Sequence, residues 1–260
     1  MSAAIVIPAR YASKRFEGKP LHKIAGISLL ERVWRIAQAV HSSSRVVIAT
    51  EDDRIVNHAK SFGAEAVLTP ESCTNGSERV YAAIGAAKIE EDILINLQGD
   101  ALLTPPSILE AMIAEIDRDP SLEIVTPAVK LEGPVLEAFR QHKANSPASG
   151  STVVFDTKRN ALYFSKAVLP MVRHAGFASV YRHIGLYGYR KSALKKYIAL
   201  EPTPLEQTEG LEQLRALEHG MNIRVVIVDY KGRTHGSIDA PEDVALVEAI
   251  IAREGELIHP

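Results

Sequence analysis

Residues 3–20 read AAIVIPARYASKRFEGKP, a short apolar run followed by a basic loop. The run Ala3–Pro8 predicts a buried strand. Backbone N–H groups, a hydroxyl and several cations directly after a strand are what a triphosphate needs. The stretch therefore predicts a phosphate-binding loop, although its spacing is not that of a Walker motif and a merely solvated loop is the alternative. Four cations lie within this loop: Arg10, Lys14, Arg15 and Lys19.

Short apolar runs alternate with helical patterns through the first half of the chain. This alternation predicts an α/β fold with a mostly parallel central sheet and helices on both faces. In such sheets, ligands bind at the carboxyl ends of the strands. The predicted strands are 3–8, 45–50, 64–68 and 92–97. The capping box Ser28–Glu31 predicts the start of one helix, and two further helices are predicted at 52–62 and 77–89.

The second half of the chain is more mixed, and it predicts a smaller mixed region. Residues 133–150 are small and polar, which predicts a loop-dominated insertion with a short helix over 135–141. The predicted strands are 122–129, 151–155, 184–189 and 223–228, and the predicted helices are 204–219 and 241–253.

Composition excludes several classes of protein. The chain has 260 residues, a net charge of −2 and 46% apolar residues, so it is neither disordered nor strongly attracted to nucleic acid or acidic membranes. Its single cysteine, Cys73, excludes a disulfide scaffold. No apolar run approaches a membrane span, and no signal peptide is visible. We therefore expect a soluble cytoplasmic protein.

Two acidic positions are candidate metal ligands. Asp100 follows a predicted strand in Gln98-Gly99-Asp100, where a carboxylate can hold Mg²⁺, although Gly-Asp is also common in simple turns. Asp239 precedes Pro241 and Glu242, a pattern that equally predicts a helix cap.

Three further segments have both a structural and a functional interpretation. Gly76–Arg79 opens a helix whose N-terminus can approach a nucleotide, or it is a simple Ser-capped start. The segments 181–190 and 211–215 are typical of core packing, and their polar side chains can also hydrogen-bond a hydroxyl-rich substrate.

Seven motifs follow one another across nearly the whole chain: IPARYASKRFEGKPL, NGSER, INLQGD, ALYFSKAVLP, YRHIGLYGYR, LEQLRALEHG and IDAPEDV. In this order they resemble those of the 3-deoxy-manno-octulosonate (Kdo) cytidylyltransferases. The resemblance implies a nucleotide-diphospho-sugar transferase fold in a single domain, with a CTP-binding part at 1–130 and an acceptor-binding and dimerisation part at 131–260. It implies Mg²⁺-dependent transfer of CMP from CTP to the anomeric hydroxyl of a 2-keto-3-deoxy sugar acid for lipopolysaccharide biosynthesis. It also implies a homodimer.

The resemblance also assigns roles to individual residues. Lys19, Asp100 and Asp239 would be catalytic, and both aspartates would bind the metal. The CTP-binding residues would be Arg10, Ser13, Arg15, Lys19, Ser77, Arg79 and Gln98. The acceptor-binding residues would be Lys166, His183, Tyr187, Glu212 and Gln213.

Three departures from the family pattern keep two alternatives open. Ala101 stands where an acid or amide is usual, Lys166 replaces an arginine, and Ser151 lies in a segment that lacks the usual lysine. A lysine is a point charge and does not reproduce the bidentate geometry of arginine. The alternatives are a cytidylyltransferase for another small anion, such as a phosphonate, and a nucleotide-binding regulator without catalysis.

Overall fold

The computed structural model of the chain describes residues 2–12, 15–174, 176 and 179–258. Its strands are β1 (Ala3–Pro8), β2 (Lys23–Ile24), β3 (Ile27–Ser28), β4 (Ser43–Thr50), β5 (Glu65–Leu68), β6 (Ile93–Asn96), β7 (Ile124–Leu131), β8 (Ser151–Phe155), β9 (Ala161–Ser165), β10 (Val180–His183), β11 (Tyr187–Arg190) and β12 (Ile223–Val228). Its helices are α1 (Leu29–Gln38), α2 (Asp53–Ser61), α3 (Gly76–Ala86), α4 (Pro106–Arg118), α5 (Gly133–Asn145), α6 (Lys191–Ile198), α7 (Pro204–Glu209), α8 (Gln213–Glu218) and α9 (Asp243–Glu254).

The described residues form two compact units. The first comprises residues 2–114 and 230–258, and the second comprises residues 115–229. The CTP-binding and acceptor-binding parts that the resemblance implies within one domain meet at residue 130 instead. The difference arises because the chain returns to the first unit after β12, which the local pattern does not reveal.

The first unit contains a parallel sheet in the order β5-β4-β1-β6. Every residue of β1 is buried, and Ile5 pairs with Val46 on one side and Ile95 on the other. A strand enclosed on both faces and both edges must be apolar throughout, as Ala3–Pro8 is. Helices flank this sheet, and Ser28 caps α1 by accepting the N–H of Glu31 at 3.2 Å. The predicted α/β class, the parallel sheet and this helix start are confirmed.

The second unit is built around β7 and is mixed. Strands β10 and β11 pair with β7 in antiparallel fashion, while β12 pairs with it in parallel. Strand β8 joins β10, and β9 joins β8, both antiparallel. The predicted mixed character of this half is confirmed.

Several expectations for the second half were wrong in detail. Residues 133–145 form the full helix α5, because Pro134 starts it and Phe139 packs against Leu131 and Val180. The predicted helix 204–219 is two short helices, because Gly210 ends α7 in a left-handed conformation with φ of 63°. The predicted strand 184–189 is interrupted, so that β10 ends at His183 and β11 begins at Tyr187.

None of the described helices combines the length and the hydropathy needed for a bilayer-spanning segment.

A buried carboxylate ties three segments of the second unit together. Glu115 of α4 is 7% exposed, and its Oε1 contacts Arg159 Nη2 at 3.1 Å and Arg224 Nη1 at 2.9 Å. Its Oε2 contacts Arg118, whose side chain is 67% exposed. Removing one partner of a buried ion network leaves uncompensated charges, which is expensive.

We therefore expect Glu115→Ala to lower the free energy of unfolding by about 3 kcal/mol, measured by urea denaturation. Arg118→Ala is the matched control, since an exposed partner contributes below about 1 kcal/mol. Equal and small losses in the two variants would contradict the structural role assigned to Glu115.

Candidate active site

A cavity of about 230 Å³ lies in the first unit at the carboxyl ends of β1 and β6 and the N-terminus of α3. Such an edge is where parallel sheets of this kind bind ligands. The described lining residues are Pro8, Ala9, Arg10, Lys19, Pro20, Cys73, Thr74, Asn75, Gly76, Arg79, Gln98, Gly99 and Asp100. The basic loop and the Gln98–Asp100 segment are therefore brought together, as the sequence predicted.

Two glycines allow the close approach that shapes this cavity. A Cβ at Gly99 would lie 2.7 Å from the backbone oxygen of Pro8, so the end of β6 fits against the end of β1 only without a side chain. A Cβ at Gly76 would lie 2.9 Å from Gln98 Nε2. Helix α3 thus begins directly beside the glutamine expected to contact substrate.

The basic loop is held by a hydrogen bond within the loop and by contacts with residues that follow β4. Gly18, with φ of 68°, donates its N–H to the carbonyl of Tyr11 at 3.0 Å. The N–H of Tyr11 in turn donates to Glu51 Oε1 at 2.9 Å. The guanidinium carbon of Arg54 lies 3.3 Å from the centre of the Tyr11 ring. Ser13 and Lys14 lie outside the described residues, so their predicted place in the loop stays a prediction.

Lys19 connects three parts of the first unit. Its Nζ donates to Asp100 Oδ2 at 2.9 Å and to the carbonyl oxygen of Ile238 at 2.8 Å. Next to Ile238, Asp239 accepts from Arg15 Nη2 through Oδ1 at 2.8 Å. The two predicted metal ligands are thus each paired with a cation of the basic loop.

The alternative that Asp239 is only a helix cap is not supported. Helix α9 begins at Asp243, and it is the Asp243 carboxylate that accepts the N–H groups of Asp239 and Ala240, at 2.8 and 2.9 Å. The carboxylate of Asp239 instead faces Arg15. Asp243 was not among the predicted residues, although an acid at the first helical position is a recognised signal for such a contact.

The donor set of this site fits a hard divalent cation. Among the described residues, no hydrogen bond reaches Asp100 Oδ1 or Asp239 Oδ2, so each carboxylate keeps an oxygen for a ligand. Mg²⁺ takes one or two carboxylates and completes its shell with phosphate oxygens and water. The described part of the chain contains no group of three or more His, Cys, Asp or Glu side chains that could hold a metal ion.

The start of α3 differs from the Ser-capped alternative. The helix begins at Gly76 and is capped by Asn75, whose Oδ1 accepts the N–H of Glu78 at 2.9 Å. Ser77 is fully buried and accepts from Asn96 Nδ2 at 3.4 Å. It therefore lies beneath the cavity rather than in its lining.

Arg79 lines the cavity but is 3% exposed. Its Nη1 donates to Thr69 Oγ1 at 2.7 Å and lies 3.1 Å from Glu51 Oε2. Glu51 thereby contacts both Arg79 and the first residues of the basic loop. Neither Glu51 nor Asn75 was predicted. The partners of Glu51 are distant in sequence, whereas Asn75 begins the NGSER motif, in which Ser77 rather than Asn75 was the predicted helix cap.

The chain after Asp100 packs into the core. Ala101, Leu102 and Leu103 are 8%, 3% and 6% exposed, and the N–H of Ala101 donates to the Gln98 carbonyl at 3.0 Å. Ala101, which stands where an acid or amide is usual in the resembled family, is thus a buried residue in a turn.

The predicted acceptor residues lie in the second unit, where His183 is fully enclosed. Its Nε2 lies 2.8 Å from Thr126 Oγ1 and its Nδ1 lies 3.1 Å from Ser151 Oγ. The Thr126 hydroxyl donates to the Leu186 carbonyl at 2.7 Å, so it accepts from His183 and places the ring proton on Nε2. Burial, with a contribution from Lys166, lowers the pKa of His183 from 6.5 to about 3. His183 is therefore neutral, and Ser151, one of the departures, supplies the donor to its Nδ1.

Tyr187 and Gln213 form a buried pair. The Tyr187 hydroxyl donates to Gln213 Oε1 at 2.9 Å, and burial raises the pKa of Tyr187 well above its usual value. Gln213 is 4% exposed, and its Nε2 has no hydrogen-bond partner among the described residues. A buried amide of this kind needs a hydrogen-bond acceptor, which a water or a ligand oxygen can supply.

Backbone hydrogen bonds fix the positions of the other two acceptor candidates, Lys166 and Glu212. The N–H of Lys166, at the end of β9, donates to Glu209 Oε2 at 2.8 Å, and Glu209 also accepts from Ser165 Oγ at 2.7 Å. The carbonyl of Glu212, which precedes α8, accepts from the Tyr197 hydroxyl at 3.0 Å.

Similarity to known proteins shows the family of this chain. A family model described as Cytidylyltransferase matches residues 4–223. A 3-deoxy-manno-octulosonate cytidylyltransferase of Maricaulis maris is 52% identical over 99% of this chain and 100% of its own length. The chain belongs to the 3-deoxy-manno-octulosonate cytidylyltransferase family. It is therefore a nucleotidyltransferase, as the motifs predicted.

Two more distant relatives belong to the same family, and a further solved structure shares only the fold. The Chlamydia caviae 3-deoxy-manno-octulosonate cytidylyltransferase is 39% identical over 94% of this chain and 91% of its own. A solved CMP:2-keto-3-deoxy-manno-octonic acid synthetase in complex with CTP superposes with a TM-score of 0.87 at 34% identity, covering 98% of this chain and 100% of the other. The inositol-1-phosphate CTP transferase of T. maritima, at 17% identity and a TM-score of 0.66, shares the fold.

We expect Gly99→Ala to destabilise the chain by about 1–3 kcal/mol, because overpacking at 2.7 Å forces β1 and β6 apart. It should also weaken CTP binding, measured by calorimetry. Gly85→Ala, in α3 with nothing within 4 Å of the added Cβ, is the control and should be neutral or stabilising. Unchanged stability and CTP affinity in Gly99→Ala would show that the close approach is not required.

The buried neutral His183 also predicts a pH dependence of stability. Because its folded-state pKa of about 3 lies below 6.5, the unfolded chain binds more protons between these values. The stabilisation is complete above pH 6.5 and is lost as the pH falls through this window, at up to about 1.4 kcal/mol per pH unit.

This dependence is measured by urea denaturation between pH 7 and pH 4. The wild-type chain should lose more stability on acidification than His183→Gln, which carries no titrating group at this position. Parallel pH profiles for the two proteins would rule out the buried neutral imidazole.

Proposed function

We propose that this chain transfers CMP from CTP to the anomeric hydroxyl of Kdo, with Mg²⁺ as cofactor and pyrophosphate as the second product. The family membership and the likeness to a CTP-complexed synthetase support the donor and the acceptor. The observation that carries the proposal is the placement of both acidic candidates against cations of one basic loop, with the Lys19–Asp100 pair in the lining of the cavity.

The basic loop would hold the triphosphate. Arg10 and Lys19 line the cavity, and Arg15 lies on the same loop. Cations fixed in this way stabilise the negative charge that develops on the departing pyrophosphate. Ser13 is proposed to contribute its hydroxyl to the same group.

The base and sugar of CTP would lie toward α3. Gln98 and Arg79 line this end of the cavity, and the buried contacts of Arg79 with Thr69 and Glu51 fix the direction of its guanidinium. Ser77 would act from beneath the lining, through Asn96. Positioning of this kind supplies much of the rate in phosphoryl transfer, where the protein performs little covalent chemistry.

Asp100 and Asp239 would hold Mg²⁺ through the oxygens that accept no hydrogen bond from described residues. When bound there, Mg²⁺ supplies charge neutralisation at the α-phosphate and assists ionisation of the acceptor hydroxyl. Lys19 and Arg15 orient the two carboxylates through the other oxygen of each.

The acceptor would be bound by residues of the second unit. Lys166 offers a positive charge suited to a carboxylate, whereas neutral His183 offers none. The unsatisfied Nε2 of Gln213 suits a hydroxyl group, and Tyr187 and Glu212 complete the set. A hydroxyl-rich acid matches these donors better than a bare phosphonate.

No specific observation supports either of the two alternatives. The relatives that show the family are named for Kdo, which does not favour a phosphonate acceptor. The regulator hypothesis rested on Ala101, and that residue packs into a buried turn.

We also infer that the chain acts as a cytoplasmic homodimer in lipopolysaccharide biosynthesis, with no nucleic acid or membrane partner. The second unit exposes large apolar side chains, among them Leu162 at 64% and Met171 at 81% exposure, which suit a subunit interface.

The direct test is pyrophosphate release from CTP with Kdo and Mg²⁺. We expect Asp239→Ala to lower turnover by about 10²–10³-fold, because a group that stabilises the reacting phosphate is lost, and to leave the melting temperature unchanged. Glu242→Ala, an exposed acid three residues away that makes no side-chain cap, is the control. Retained activity together with a lower melting temperature would make Asp239 a structural residue only.

A further inference from the structure

The two acidic candidates share an arrangement that the proposed reaction does not by itself require. Each carboxylate is paired with a different cation of the basic loop: Asp100 with Lys19 at 2.9 Å and Asp239 with Arg15 at 2.8 Å. The same cations are the ones proposed to grip the triphosphate, and the same carboxylates are the ones proposed to hold the metal.

The two pairs differ in strength. The side chains of Lys19 and Asp100 are 16% and 29% exposed, so water screens their attraction only in part. Arg15 and Asp239 are 69% and 51% exposed, which makes their pair weak. Lys19 additionally donates to the Ile238 carbonyl, which keeps it in place if Asp100 is neutralised.

We propose that these pairs are exchange contacts that couple nucleotide binding to divalent-cation binding, an inference that rests on the proposed function. Phosphate oxygens compete with Asp100 and Asp239 for Lys19 and Arg15. A carboxylate whose cation has turned to phosphate binds a divalent cation more tightly, because its charge is no longer neutralised. Such coupling is reciprocal, so the metal must also favour the nucleotide through the same exchange.

The effect of a direct ion pair can be distinguished from the effect of the net charge around the cavity by comparing paired with unpaired residues. Arg10 lines the same cavity as Lys19, yet among the described residues no ion pair joins it to either aspartate. Likewise, Glu17 carries the same charge as Asp100 and lies on the same loop as Lys19, and no ion pair among described residues joins Glu17 to Lys19. Substituting Arg10 or Glu17 therefore removes one charge without breaking either ion pair, which makes these variants matched controls.

The first experiment measures Mn²⁺ binding to the whole chain without nucleotide, from the electron paramagnetic resonance signal of free Mn²⁺. Lys19→Met should bind Mn²⁺ about fivefold more tightly than the wild type, because Asp100 has lost its partner. Arg10→Met should change the affinity less than twofold. An equal change in both variants would overturn the exchange, since it would reflect net charge alone.

The second experiment measures CTP binding by calorimetry with EDTA present. Asp100→Asn should bind CTP about fivefold more tightly than the wild type, because Lys19 is released to the phosphates while Ile238 still holds it. Glu17→Gln should change the affinity less than twofold. Unchanged or weaker binding by Asp100→Asn would overturn the proposal.

Failure of the proposed function has a different signature. A wild-type chain that binds neither CTP nor Mn²⁺ in the presence of CTP would remove both the proposed function and the exchange. A wild-type chain that binds both, with paired-residue variants no different from their controls, would remove the exchange alone.

Discussion

The ammonium group of Lys19 is the contact on which the arrangement of the site depends. It joins the basic loop to the end of β6 through Asp100 and to the segment before α9 through the Ile238 carbonyl. A point charge with three donors can satisfy such divergent partners, which a planar guanidinium cannot do as readily. Because Asp239 directly follows Ile238, the position of the second acidic candidate is fixed by the same lysine.

The fold of the first unit was predictable because its signals are local. Ala3–Pro8 and Arg45–Thr50 are apolar runs that only a buried strand accommodates, and Ser28 marks the start of α1. In the second half the local signals mislead. The segment 133–145 has a composition typical of loops, and its helix depends on the packing of Phe139 against residues distant in sequence.

The candidate site was predictable where motifs carry it, and less so where its support lies elsewhere. Arg10, Lys19, Gln98 and Asp100 fall at one edge, as parallel-strand topology requires. Their supporting residues, such as Glu51, act across tens of positions and belong to no motif. The burial of His183 likewise depends on Thr126 and Ser151, contacts that no spacing rule connects.

The return of the chain to the first unit after β12 has a consequence for how the protein is made. Lys19 and the carbonyl it holds are separated by 219 positions, and the second unit is translated between them. On a ribosome that synthesises the chain from its N-terminus, the parallel sheet can form early while this lysine lacks its last contact. The hydrogen bond between Lys19 and Ile238 therefore forms near the end of translation, after the second unit has already emerged.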